Sequence, residues 1–554
     1  MYPATIRPSI SADTITKVTR LFNGSIDDIV NELLQNARRA GATAIVISHT
    51  KADIGMHLTI ADDGTGVADP AQMLALGESG WDSAIAARED PAGMGVFSLA
   101  GTDVTSTSRA TDQPIGWSAN IRENEWTGEA DITVVDESRP VGTTITVHLP
   151  LGGPALVAKA VEEAAAHYPL PVTLNGVFAK QADFLEGAKF IGEWCGSRIG
   201  VFTGRPWSKD NTVNFHGLTV TKLLCEIKET FQGEQFYAKL DIGNTPDLKL
   251  VLPARKEFVE NEALDALKEA CARTIFEATA ERGTHTLSHS DWLRARDLGV
   301  ELPEAHPVLY RWRPNVADEH GGEVGEPIEA GHGPLIRGPD FEAAMAQPFA
   351  RAIEGDPFAD RLVERHAFYE GYEWYDALPV VSDAWFDIKS GEQDYRIKEG
   401  TCNPNMEAHI EAHSITLSCV SEHDGKREMH SFATDVALIE DSDMWFGALD
   451  NVRIAWTKSE TLTPDILILL LDDALFCSSD DSECDSWDTQ HDRFERDAQK
   501  LATEILLGED AAICGQFREA VARLNWLIPP ERNIFIEMVG GAIDVRIEAE
   551  EVAA

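Results

Sequence analysis

The sequence predicts an α+β protein of several domains: a mixed sheet covered by helices in front, a second α+β unit behind it, and a last region mixing strands with late helices. Three observations carry this. At 554 residues with 43% hydrophobic side chains, the chain exceeds what one core serves and divides into roughly three or four domains. Runs of helical period stand beside short β-branched runs in the first 170 residues. Further on, strand signals dominate until about residue 475, where helical period returns.

Taken in order, Ile26, Ile29, Val30, Leu33 and Leu34 recur at the spacing of one helix face, with Ser25 and Asp28 as a capping pair and Gly41 as a stop. TAIVISHT at 43–50 and MHLTIADDG at 56–64 are β-branched runs ended by turn residues, and read as adjacent strands. Residues 67–92, with GESGW among small and acidic residues, predict a mobile segment. A glycine-rich turn, AGMGVFSLAG, then leads into a helix. Strands at 103–109 and 143–150 and a helix at about 153–167 close a first domain, 1–170. A second α+β unit covers 171–285, with strand signals at NFHGLTV and DLKLVLPA and a helix at about 260–281. Residues 286–375 are expected to be linker and irregular chain, because the Gly-, His- and acid-rich stretch around 318–340 has no period. The remainder, 376–554, is expected to be β-rich to about 475, helical over 490–507 and 514–527, and to end in a hairpin around Gly540 and Gly541.

Composition excludes some functions. Acidic residues outnumber basic ones 93 to 47, a formal net charge of −46, which repels polyanions and argues against a protein that coats nucleic acid. Eight scattered cysteines with no CxxC pair make neither a disulfide framework nor a zinc cluster. The N-terminal stretch MYPATIRPSISADTITKVTR has no apolar core of signal-peptide length. The longest aliphatic run, Ile466 to Leu471, is short of a membrane span, so a cytoplasmic protein is expected.

Glu32 and Asn36 share one face of the first helix, where a carboxylate can take a proton from water and an amide oxygen can ligate Mg²⁺. Alone, that spacing also describes any solvated helix face. Asp62, Gly64 and Gly66 follow a strand, where glycines let the backbone approach a planar ligand and a carboxylate can accept the exocyclic amine of adenine. Gly93 and Gly95, before the next helix, would offer backbone N–H groups to phosphates. Thr143 opens the late strand. His409, Glu411 and His413 alternate and would face one way on a strand, as a metal site or as a polar strand face. The acidic stretch 478–488 lacks EF-hand spacing and reads as a solvated loop.

The order ELLQN at 32–36, DDGTG at 62–66, GMGVFS at 93–98 and GTTITVHL at 142–149 resembles the GHKL or Bergerat-fold ATPase superfamily, over about the first 170 residues. That superfamily includes gyrase B subunits, MutL, heat-shock chaperones, MORC proteins and histidine kinases. The resemblance implies ATP and Mg²⁺ as cofactors. Glu32 would activate the attacking water and Asn36 would hold Mg²⁺. Asp62 would bind the adenine amine with support from Thr143, while Gly64 and Gly66 would shape its pocket. Gly93 and Gly95 would let a lid, 67–92, wrap the phosphates. A catalytic cation is implied in the second domain, where VLPARKEFVE at 251–260 offers Lys256 or Arg255; an exposed basic pair is the alternative reading.

Two positions depart from the pattern. Arg39 stands where many relatives have an acid, and Ser79 is followed by Gly80 and Trp81 instead of a lid lysine. No GxxxxGK[ST] motif is present, so a P-loop mechanism does not compete. The resemblance implies a machine in which ATP closes the lid, the ATPase domains dimerise, and the second domain relays closure to a protein client at the C-terminal region. The alternatives are a nucleotide-gated scaffold without turnover and, against the charge, a DNA-processing ATPase of the MutL or MORC type.

Overall fold

The structure, a computed structural model, describes residues 25–74, 95–127, 131–150, 153–207, 210–230, 233–251, 257–318, 327–328, 334–440, 449, 452–479, 485–527 and 532–549, apart from 244, 246, 400 and 402–404. Two compact units divide between His306 and Pro307. Both mix helices with sheets, so the chain is α+β.

In the first unit, helix α1 (Ile26–Arg39) begins where the Ser25 Oγ accepts the N–H of Asp28 at 3.1 Å. Asp27 and Asp28 in its first turn and Arg38 and Arg39 in its last complement the helix dipole. Gly41, with φ of 67°, ends it as expected. Strands β1 (Ile45–Lys51) and β2 (Met56–Asp62) pair antiparallel, with Ile45, Ile47, Leu58 and Ile60 turned to the core. The strands β3 (Val104–Arg109), β4 (Gly116–Ile121), β5 (Val134–Glu137) and β6 (Gly142–Leu149) follow, then α2 (Pro154–Ala165), β7 (Val172–Leu174) and β8 (Val177–Phe178). They form one eight-stranded sheet in the order β5-β4-β3-β6-β2-β1-β7-β8, mixed because β1 and β7 run parallel. Ile29, Val30, Leu33 and Leu34 of α1 and Val157 and Val161 of α2 pack into its core.

The first sheet thus extends to Phe178, a little past residue 170. A second sheet takes the strands between Phe190 and Ile242, and α3 (Glu262–Arg282), capped by the Asn261 side chain, covers it. Of DLKLVLPA only an isolated bridge, Leu250 with Phe258, is paired among the described residues.

The second unit corrects two expectations. The stretch 286–375 is not simply linker. Its helix Ala343–Ala352 buries Met345, Ala346 and Phe349, and Tyr369, Tyr372 and Tyr375 are almost fully buried. Pro348 inside that helix and the brevity of the neighbouring elements hid the periodicity. The region up to 475 does not stay β-rich either, because Pro464–Leu475 is a helix. Thr463 caps it, Pro464 occupies its first turn, and Leu467, Leu471, Ala474 and Leu475 form its buried stripe. The aliphatic run hid that stripe by being apolar on every face. The helices Trp487–Leu507 and Glu509–Ala522 and the hairpin of Arg532–Val539 with Ala542–Ala549 match expectation. Among the described residues no helix is long and apolar enough to cross a membrane.

Candidate nucleotide site

The end of α1, the turn after β2 and the start of β6 meet at one place. Asp62, the last residue of β2, stands opposite Thr143 in the antiparallel register of β2 and β6. Its Oδ1 accepts the N–H of Gly64 at 2.9 Å. The half-buried carboxyl is pushed above the ordinary aspartate value by desolvation, opposed by the backbone N–H groups of Gly64 and Thr143.

Gly64 lies so close to α1 that a Cβ there would come within 2.7 Å of the Ala40 Cβ and 2.9 Å of the Asp62 Oδ1. The turn is tied down where Thr65 donates its N–H to the Ala40 carbonyl at 2.8 Å. Gly66 adopts φ of 70°, and a Cβ on it would lie 2.1 Å from the Arg109 carbonyl oxygen. Gly66→Ala is therefore expected to destabilise the first unit by about 2 kcal/mol or more, measured by chemical denaturation, because both the backbone conformation and the approach to β3 are lost.

Thr143 is placed beside Asp62, but its hydroxyl is taken up by Ser108 Oγ at 3.0 Å. Ser108 is fully buried, accepts the N–H of Val67 at 2.8 Å and lies 3.1 Å from the Gly142 carbonyl oxygen. Its place near the end of a strand is the one sign of it in the sequence. Arg139 was also missed. It donates to Thr144 Oγ1 at 2.7 Å and lies within electrostatic reach of Asp62 and Glu137, while desolvation holds its pKa below the ordinary value.

On α1, Glu32 and Asn36 do share a face, and a third residue joins them. Arg39 Nη1 donates to Asn36 Oδ1 at 3.1 Å and lies 3.8 Å from Glu32 Oε1, with side-chain exposures of 6% for Arg39 and 14% for Glu32. This bears directly on Mg²⁺. The amide oxygen expected to ligate it faces a guanidinium, and the nearby carboxylate faces the same cation. A dication there would meet a fixed positive charge. The residues at Asn36 do not fit a magnesium ion.

Gln35, buried between the two, donates from Nε2 to the His216 carbonyl at 2.7 Å, tying α1 to a turn of the second sheet. Tyr168 OH donates to the Leu34 carbonyl from the other side. Neither was legible in the sequence, since both contacts join residues more than 130 positions apart.

Other expected parts are placed differently or lie outside the described residues. Gly95 opens only a five-residue 3₁₀ helix, Gly95–Leu99, too short to present a helix dipole to phosphates. Gly93, Arg255, Lys256, Ser79 and residues 75–92 of the expected lid lie outside the described residues. His409, Glu411 and His413 do not share one strand. The strand ends at Glu411, whose carboxylate pairs with Lys458 at 2.9 Å, and His413 Nδ1 accepts the Gly391 N–H. Part of the acidic stretch, 480–484, also lies outside the described residues.

No family model and no curated protein matches the chain. Among solved structures, the chain is similar to the ATPase domain of Aquifex aeolicus MutL complexed with ADP. That match has 17% identity over 35% of this chain and 82% of the other, at a TM-score of 0.24. A second structure, the ATPase domain of the bacterial mismatch repair endonuclease MutL from the same organism, matches at 17% identity over 36% and 80%, at a TM-score of 0.23.

Proposed function

We propose that the first unit binds ATP and hydrolyses it, and that nucleotide state drives closure and dimerisation of that unit and is relayed to a protein partner of the second unit. The observation that carries the reading is Asp62: a half-buried carboxylate with its pKa raised by desolvation, held by the Gly64 N–H at the mouth of a turn built from close-approach glycines. An exocyclic amine is the donor that completes such an acceptor. Glu32 is then the base for the attacking water. Gln35, bonded to His216, supports a relay from α1 into the second sheet.

Adenine recognition of this kind depends on an ionised carboxylate. Because desolvation raises the Asp62 pKa, protonation sets in above the ordinary aspartate value of 3.8 as pH falls. ATP affinity is therefore expected to drop on acidification from a pH above that value, with the decline absent in Asp62→Asn; titration calorimetry across pH reads both. The sign for stability is opposite. A raised carboxyl pKa means that the folded chain takes up the proton more readily than the unfolded one, so the ionised group costs stability at neutral pH; the cost shrinks as pH falls through the raised pKa and is gone below the ordinary value of 3.8.

A second reading is favoured by one observation, the contact of Arg39 with both Glu32 and Asn36. A carboxylate held toward a guanidinium is turned from the attacking water, and the protein then closes on ATP as a scaffold without turnover. Steady-state ATP turnover by wild type and Glu32→Ala, with affinity measured on the same samples, separates the two readings.

A further inference from the structure

We infer that Arg39 takes the place of the divalent metal at the Glu32–Asn36 face, so that a nucleoside triphosphate binds this site without Mg²⁺, its polyphosphate charge met by the guanidinium. The inference rests on the nucleotide-binding reading above. It goes beyond that reading by changing what neutralises the ligand.

Three features of the site lead here. Asn36 Oδ1, the neutral oxygen of the pair, is occupied by Arg39 Nη1 at 3.1 Å, and Glu32 Oε1 lies 3.8 Å from the same nitrogen. The Arg39 side chain is 6% exposed, so the guanidinium is built into the face rather than swinging in solvent. Ala40 follows it directly and carries the turn of Asp62 and Gly64 on its carbonyl, through the Thr65 N–H. The backbone that carries Arg39 is therefore tied to the turn of the proposed adenine acceptor.

The chemistry follows from charge and shape. A guanidinium keeps its charge at physiological pH and presents a planar fork of donors that suits phosphate oxygens. Mg²⁺ demands near-octahedral oxygen ligands and gives up its water reluctantly. A site that offers it one amide oxygen, already hydrogen-bonded to a fixed cation, has little to recruit it with. Asn36 acts here as a positioning residue for Arg39, Glu32 helps to hold it besides its proposed role as base, and Arg39 is the phosphate contact.

The test is ATP affinity of the full chain by titration calorimetry in Mg²⁺ and in EDTA, for wild type, Arg39→Gln and Arg39→Lys. Wild type is expected to bind equally in both buffers, within about threefold. Arg39→Gln removes the cation and frees the Asn36 oxygen, so its affinity is expected to fall at least about tenfold in EDTA and to be recovered by Mg²⁺. Arg39→Lys keeps the charge without the planar fork and is expected to fall between them. Wild-type binding that is lost in EDTA overturns the inference while leaving the nucleotide-binding reading intact. Failure of wild type to bind ATP in either buffer overturns that reading and the inference with it. If Arg39→Gln does not fold, the wild-type comparison alone still decides.

Discussion

Asp62→Asn is expected to weaken ATP binding by roughly two orders of magnitude or more, while leaving the fold as stable as wild type or slightly more stable. The Gly64 N–H already points at Asp62 Oδ1 at 2.9 Å, so an asparagine there keeps its carbonyl oxygen for Gly64 and turns its amide N–H₂ toward the ligand. The adenine amine is itself a donor. Two donors then face each other where a charge-assisted hydrogen bond stood, a change from favourable to unpaired that costs more than simple loss of the bond. The same geometry predicts the reciprocal preference: a 6-keto purine such as ITP is expected to bind Asp62→Asn better than wild type. Stability moves the other way because desolvation raises the Asp62 pKa, so the ionised carboxylate is a burden on the folded state at neutral pH. Calorimetric titration with ATP and ITP, alongside thermal unfolding of the same samples, reads all three outcomes.

Glu32→Ala is expected to slow ATP turnover by roughly 10²- to 10⁴-fold, the range for loss of a general base, with ATP affinity changed far less. Affinity is not left wholly untouched, because Glu32 lies 3.8 Å from Arg39 and helps hold that guanidinium. Truncation therefore leaves the Arg39 contact to Asn36 at 3.1 Å as the main restraint on its position. A mutant that binds and does not turn over supports the hydrolytic reading. Equal binding with no turnover in either protein selects the scaffold. Loss of binding in Glu32→Ala contradicts the role of base.

Much of the first sheet was legible because its signals are local. The Ser25 cap, the apolar stripe of α1 and the β-branched runs of β1, β2, β3 and β6 each fit within a window of a few residues, and register then follows from which residues must face the core. Asp62 and Thr143 ended opposite each other for that reason. What the sequence hid is non-local or ambiguous. Gln35 looks like a surface amide until His216 arrives from the second sheet, and Ser108 looks like any strand serine until β3 lies against β6. Arg39 was visible as a departure from the pattern of the superfamily that the chain resembles, yet only the structure shows that it contacts Asn36 and Glu32. Residues 464–475 were missed for a different reason: an unbroken aliphatic run carries no period, and only the Thr463 cap and Pro464 marked a helix start.

The most direct test of nucleotide binding at Asp62 is a calorimetric titration of the whole 554-residue chain with ATP and, in parallel, with ITP. Saturable binding of one ATP per chain, with ITP bound at least about tenfold more weakly, is the expected result. No ATP binding, or ATP and ITP bound alike, would contradict the account, because neither leaves a role for the half-buried carboxylate.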